Sequence, residues 1–198
     1  MDHDYTKYRE LKPDDTVLIL GAYDGDFIRE RKDEILEKNV FVICIEPDIR
    51  LCQQGMEFVR KEMPVNATFL NMAVSNKTGI SFFQNCNNHL ISSLADIPRS
   101  WPEDTAFETR IATIKLDDII NMYNPDCIFC DIEGAELEVF KDSFYFNQVE
   151  YIAIAAYHIR DGEKTYIPLF AYFERHLIPG LNVIIDAGNN NQEVLYIV

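Results

Sequence analysis

The chain has 198 residues, 47% of them apolar and 26% charged. That is enough to bury a sizeable core and lies far from the low-hydrophobicity, high-charge corner where chains stay disordered. The 18 Lys plus Arg against 33 Asp plus Glu leave a formal charge of −15, which repels phosphate backbones and anionic lipid, so neither nucleic acid nor membrane is an expected partner. No apolar run approaches the ~20 residues of a membrane helix, and residues 1–10 do not form a basic, apolar leader. The expectation is a single domain over residues 1–198, with 1–15 as an extension, in the cytoplasm.

In chain order, short apolar runs alternate with longer amphipathic stretches, the pattern of a parallel sheet covered by helices. Residues 16–20 (TVLIL) predict a strand and 27–38 a charged helix with Phe27, Ile28, Ile35 and Leu36 toward the sheet. Residues 41–46 (FVICIE) predict a strand buried on both faces, 48–61 a helix and 67–71 a third strand. Residues 73–84 place an Asn-Lys-Thr-Gly turn between two strand-like runs and predict a hairpin. Residues 85–109, with His89, Pro98, Trp101 and Pro102, read as an irregular loop long enough to be a lid. Beyond it come strand 110–114, helix 116–122, strand 127–131, helix 135–140, strand 151–158, helix 166–177 and strands 182–186 and 194–198. The turn-rich DAGNNNQ between the last two predicts a hairpin, hence an antiparallel last strand. The five cysteines are an odd number and suit reduced core thiols. Cys127 and Cys130 have CxxC spacing, but inside a buried strand rather than at a turn, which argues against redox or zinc use.

Four features carry chemistry. The first is the turn after the first strand, Gly21, Ala22, Tyr23, Asp24, Gly25, leading into Phe27. Ligands of doubly wound sheets bind beyond the carboxyl ends of the strands, where glycines let the backbone approach. The spacing is GxxxG rather than the GxGxxG of dinucleotide binders, and the acidic side chains would repel a pyrophosphate while suiting a cationic ligand. An ordinary strand-turn-helix connection with capping aspartates would also give this pattern. The second feature is Glu46, followed by Pro47, at the end of the next strand, where an acid grips the hydroxyls of a nucleoside ribose; capping the following helix is the plainer alternative. The third is Asp131 and Glu133, two carboxylates at a strand end, two residues apart and so on one side. Glu136 reads as a structural residue of the first helical turn. The fourth is Tyr157 and His158 on the adjacent strand, His158 being a candidate proton acceptor or a satisfied structural histidine. His3 and His176 have blander readings.

With these residues in place the sequence resembles the FkbM-type methyltransferases, S-adenosylmethionine-dependent enzymes with a Rossmann-like sheet. The likeness runs from GAYDGDF through IEP at 45–47, NMAVS at 71–75, SSL at 92–94, KLDDI at 115–119 and DIEGAE at 131–136 to His158. It implies a mostly parallel class I methyltransferase fold with a small β insertion. It also implies S-adenosylmethionine bound by Gly21, Ala22, Tyr23, Asp24, Gly25, Phe27, Glu46, Pro47, Asn71, Met72, Ala73 and Asp131. His158, Asp131 and Glu133 would be catalytic, methylating a hydroxyl of a small molecule, sugar or glycoconjugate. The family usually carries an acid two positions before the first glycine, where this chain has Ile19, and a base two positions before the fourth motif's aspartate, where it has Phe129. Asp24 would then serve the cofactor's ammonium. A divalent metal on Asp131, Glu133 and His158 is conceivable, but three ligands from two adjacent strands are a weak arrangement, so none is expected. The alternatives are a non-catalytic module that binds the cofactor or a partner and, less well matched, a nicotinamide-dependent oxidoreductase.

Overall fold

The structure, a computed structural model, describes residues 4–86, 93–94, 105–160, 162–187 and 192–198. Its first sheet contains β1 (Thr16–Leu20), β2 (Phe41–Ile45), β3 (Ala67–Leu70), β8 (Cys127–Cys130), β9 (Tyr151–Ala155), β12 (Val183–Asp186) and β13 (Val194–Ile197), in the order β12-β13-β9-β8-β1-β2-β3. Pairing is parallel from β9 to β3, and β13 runs antiparallel to both neighbours. The fold is thus the mostly parallel α/β sheet expected. The antiparallel last strand lies inside the sheet, between β9 and β12, rather than along its edge.

Alternation along each strand feeds two cores. Val17 and Ile19 face one, with Phe129, Tyr151 and Tyr196; Leu18 and Leu20 face the other, with Ile128, Ile152 and Ile154. The first face is covered by α1 (Asp26–Glu30), α2 (Lys32–Glu37), α3 (Ile49–Glu62) and Tyr5 and Leu11 of the N-terminal segment. The second is covered by α4 (Leu116–Tyr123), α5 (Glu136–Lys141) and α6 (Tyr166–His176). Each fully buried Leu or Ile contributes about 1.5–3 kcal/mol, so the two apolar faces dominate stability.

A second sheet, ordered β4-β7-β5-β6, contains β4 (Ala73–Ser75), β5 (Gly79–Cys86), β6 (Ser93–Leu94) and β7 (Thr105–Lys115). The expected 73–84 hairpin is not formed. β4 pairs parallel with β7 on one side and β5 antiparallel on the other, because β7 supplies a long central partner that two short adjacent runs cannot give each other. The expected irregular segment 85–109 is likewise corrected: Asn85 and Cys86 extend β5, Ser93 and Leu94 form β6, and β7 begins at Thr105 rather than at 110. Trp101, His89 and Ser92 lie outside the described residues, and with them the lid expectation. This sheet buries Phe83, Leu94 and Ile111 against Ala135 and the partly buried Ile132.

Two boundaries also moved. The 27–38 helix divides at Arg31, whose guanidinium reaches Thr6 and Glu34 while the i→i−4 bonds from Arg31 to Phe27 and from Ile35 to Arg31 persist. The 151–158 strand stops at Ala155 because β13 stops pairing there. Ala156 then donates to the Glu193 carbonyl and accepts from Tyr166 N–H, turning the chain toward β10 (Ile159–Arg160), β11 (Glu163–Lys164) and α6. All five cysteines are buried, and none is in a disulfide. Cys127 and Cys130 belong to opposite cores and cannot share a ligand.

Candidate functional site

Because β2, β1, β8 and β9 are adjacent and parallel, the turns after them open along one edge. Gly21 has φ 77° and donates to the Ile45 carbonyl at 3.0 Å. A Cβ on Gly21 would sit 1.8 Å from the Asp131 carbonyl oxygen, so a side chain there would drive the first turn off the fourth motif. Tyr23 also adopts a left-handed φ, 55°, which aims its N–H at Glu46 Oε2, 2.8 Å away. Asp48 N–H donates to Glu46 Oε1 at 2.8 Å, and Asp48 caps α3 through Arg50 N–H. Glu46 is 6% exposed. Burial pushes its carboxyl up to about 8 against the two N–H donors that favour the anion. It is therefore a held acceptor at a strand end, and the helix cap expected as its alternative is Asp48.

Asn71 donates to the Glu46 and Pro47 carbonyls, both at 3.0 Å, and so braces that turn. Met72 is partly buried against the core, while Ala22, Phe27 and Ala73 are buried apolar residues; any ligand contact at these three falls to backbone. Asp24 Oδ1 is buried and lacks a hydrogen-bond partner among the described residues, beside Asp26, whose carboxyl is raised by burial and by its bond with Asp24. An ammonium would satisfy that oxygen. Within KLDDI, Asp117 accepts from Ser143 and from Phe144 and Tyr145 N–H, an anchoring role.

The fourth motif closes on His158. Asp131 N–H continues the ladder to the Leu20 carbonyl, Glu133 has φ 55° and Gly134 φ 94°, and the reversal brings both carboxylates to one ring. His158 Nε2 is 3.4 Å from Asp131 Oδ1 and 3.5 Å from Glu133 Oε2. Its Nδ1 is 2.9 Å from Oε1 of Glu136, which is wholly buried. That same oxygen accepts from Gly134 N–H. Thr165 N–H holds the His158 carbonyl at 2.8 Å. Burial opposes a charged imidazole, yet Glu136, Asp131 and Glu133 outweigh it and raise His158 to about 10. Burial, then the Asp131 charge, push Glu133 up to about 8. Glu136, despite its burial, is held below the ordinary carboxylate value by His158. In the empty protein the three carboxylates therefore favour a protonated ring, which weighs against His158 as a simple base.

Glu136 is the member of the group that sequence reasoning assigned to structure. A signal was present: its i+3 and i+4 neighbours, Val139 and Phe140, are apolar and buried, so the acid lies on a core-facing stripe and needs a buried partner. The two departures noted in the sequence also meet. Ile19 and Phe129 are register partners across β1 and β8, 3% and 1% exposed, with Tyr5 stacked on Phe129 at 5.6 Å and Phe27 at 5.1 Å. An acid and a base on these positions would face each other; here one apolar contact replaces both.

This sheet, with its antiparallel strand inserted beside β9, is the architecture of the S-adenosylmethionine-dependent methyltransferases. The chain aligns with a methyltransferase FkbM from Methylobacillus flagellatus KT at a TM-score of 0.67 and 20% identity, over 96% of its own length and 45% of that chain. It thus spans less than half of that protein. It aligns with Aeropyrum pernix fibrillarin, solved with S-adenosyl-L-methionine bound, at 0.56 and 12% identity over 98% and 71%. A precorrin-6y C5,15-methyltransferase from Geobacter metallireducens GS-15 gives 0.53 and 13% over 94% and 80%. No curated protein sequence matches the chain. The methyltransferase FkbM domain model matches residues 20–178, and the chain belongs to that family.

Proposed function

We propose that the chain transfers the methyl group of S-adenosylmethionine to a hydroxyl oxygen of a small molecule, sugar or glycoconjugate. The observation that carries this reading is the convergence, at one edge of four adjacent parallel strands, of the glycine turn, the held Glu46 carboxylate and the Asp131–Glu133–His158 group. Bound S-adenosylmethionine supplies an electrophilic methyl on a sulfonium. Gly21 and the 22–25 backbone admit its methionine end, the Asp24 carboxylate meets its ammonium, and Glu46 accepts from the ribose hydroxyls. Asn71 and Met72 border the base. Asp131 and Glu133 orient the acceptor oxygen for in-line attack, which rewards alignment at about 3–3.5 Å. Proton removal falls to the carboxylate–imidazole group as a unit. Where His158 accepts it, the proton that Nε2 already carries passes first to the Asp131 carboxylate, 3.4 Å away. Five buried cysteines outside any disulfide suit a reducing compartment such as the cytoplasm, and the charge of −15 favours a small acceptor over nucleic acid or membrane.

A non-catalytic module that binds the cofactor is the second reading, favoured by the three carboxylates that crowd the His158 ring at 2.9–3.5 Å and hold its proton. Calorimetry with S-adenosylmethionine, followed by an assay for S-adenosylhomocysteine over a panel of hydroxylated acceptors, separates them. Binding with turnover supports the transferase, binding without turnover on any acceptor supports the module, and no binding overturns both.

A further inference from the structure

We propose that Asp131, Glu133 and His158 form a binding site for one divalent cation, of a kind that accepts both imidazole and carboxylate ligands. One atom from each residue lies within 4.8 Å of the other two. The imidazole-to-carboxylate spans, 3.4 and 3.5 Å, are close to the roughly 3.0–3.4 Å between neighbouring ligands at about 2.1 Å from a common ion. Independently of the acids, the ring points to a ligand: the His158 side chain is 10% exposed, and its Nε2 faces both carboxylates without a hydrogen bond to either. Glu136 lies behind the ring at Nδ1. This is the arrangement in which a buried carboxylate fixes tautomer and orientation so that the other nitrogen serves as ligand.

Charge selects the valence. With Asp131 and Glu133 both ionised and the proton on Nε2 displaced by the ion, two carboxylates balance a divalent charge, whereas a monovalent cation such as a sulfonium would leave one in excess. Ligand type narrows the ion: an all-oxygen set would suit Mg²⁺ or Ca²⁺, and one nitrogen with two carboxylate oxygens suits Mn²⁺, with Zn²⁺ as competitor. Cys130, the nearest thiol in sequence, faces the opposite core and adds no sulfur ligand. Three protein ligands leave positions for water and for an acceptor hydroxyl, whose proton the ion's charge would make easier to lose. That use rests on the proposed methyl transfer, but binding of the ion does not, so the two fail separately. The sequence made this site look improbable because its ligands come from two adjacent strand ends. The left-handed turn at Glu133 and Gly134 is what brings them to one point.

The test uses chelator-treated full-length protein without S-adenosylmethionine, titrated with Mn²⁺ and followed by loss of the spin-resonance signal of the free ion. One equivalent should bind, with Zn²⁺ competing. His158→Ala, His158→Gln and Glu133→Gln should each weaken binding at least tenfold, and Glu136→Gln by about 10- to 100-fold. Circular dichroism and S-adenosylhomocysteine binding check that each variant is folded, the two His158 variants covering for each other. Absence of stoichiometric Mn²⁺, Zn²⁺ and Mg²⁺ binding to the wild type overturns the proposal. So does unchanged affinity in a folded His158 variant. If Asp131→Asn weakens S-adenosylmethionine but not S-adenosylhomocysteine while no metal binds, the acids serve the sulfonium and the proposal is overturned.

Discussion

Glu46 and Glu133 are the same residue type, both follow parallel strands of one mixed sheet, and burial pushes both up to about 8. They are nevertheless built for different work. Each oxygen of Glu46 already accepts a backbone N–H at 2.8 Å, so its position is set by main chain that folding fixes. Glu133 and its neighbour Asp131 are arranged around an imidazole at 3.4–3.5 Å, brought there by the left-handed turn at residues 133 and 134. The first is a rigid acceptor for a ligand whose hydroxyls come to it. The second is a charged group gathered around a ring. The difference teaches that a raised carboxyl marks neither role by itself; the donor type does.

The comparison breaks most completely at the backbone both regions share. Gly21→Ala places a methyl 1.8 Å from the Asp131 carbonyl in a left-handed conformation, and should cost about 3 kcal/mol or more in chemical denaturation together with loss of S-adenosylmethionine binding. Denaturation that leaves its midpoint unmoved would mean the two turns are not in contact. Next in size is the apolar pair between the regions. Ile19→Asp buries an unmatched charge among aromatic rings and should cost about 3–5 kcal/mol. Adding Phe129→Lys should recover part of that loss, with a coupling above about 1 kcal/mol in a double-mutant cycle. Strict additivity would refute the view that the two departures are one exchange.

Glu136→Gln should destabilise by about 1–3 kcal/mol, since Gly134 N–H can keep an acceptor while the pairing with His158 is lost. Nuclear magnetic resonance titration should show His158 falling well below about 10, and an unshifted imidazole would assign its charge to Asp131 and Glu133 alone. The smallest effect concerns pH at Glu46. In the empty protein, between its ordinary 4.5 and about 8, the folded state keeps a proton that the unfolded state has lost. Glu46 therefore contributes stability that declines as pH rises through that window. Ribose hydroxyls favour the carboxylate, so cofactor affinity should rise up to about pH 8 and then level off. Glu46→Gln should flatten both curves in calorimetry, and a variant that keeps the wild-type slope would show that another group titrates there.

Much of the large sheet was legible because fully buried parallel strands are short apolar runs and the helices between them carry an apolar stripe; β1, β2, β8 and α3 lie within a residue or so of expectation. The second sheet was not legible. β4 and β5 pair through β7 and not with each other, and local turn chemistry cannot report a partner distant in sequence. At the site, the positions of Gly21, Glu46, Asp131 and Glu133 followed from their place at strand ends. The charge of His158 did not, because it depends on Glu136 folding underneath the ring from the next helix. Nor did the facing of Ile19 and Phe129, which only the β1–β8 register reveals.

The position of β13 has a consequence for assembly. Among the described residues, 194–197 are the only pairing partner of β12 in the sheet and the second neighbour of β9. β1, β2, β3, β8 and β9 pair with one another in parallel, but β12 has no ladder to join until residues 194–197 insert in the opposite direction. Closure of this flank therefore waits on residues 194–197, which follow β12 in the chain. Until then the backbone of β9, next to the stretch that carries His158, is an open strand edge awaiting its cover.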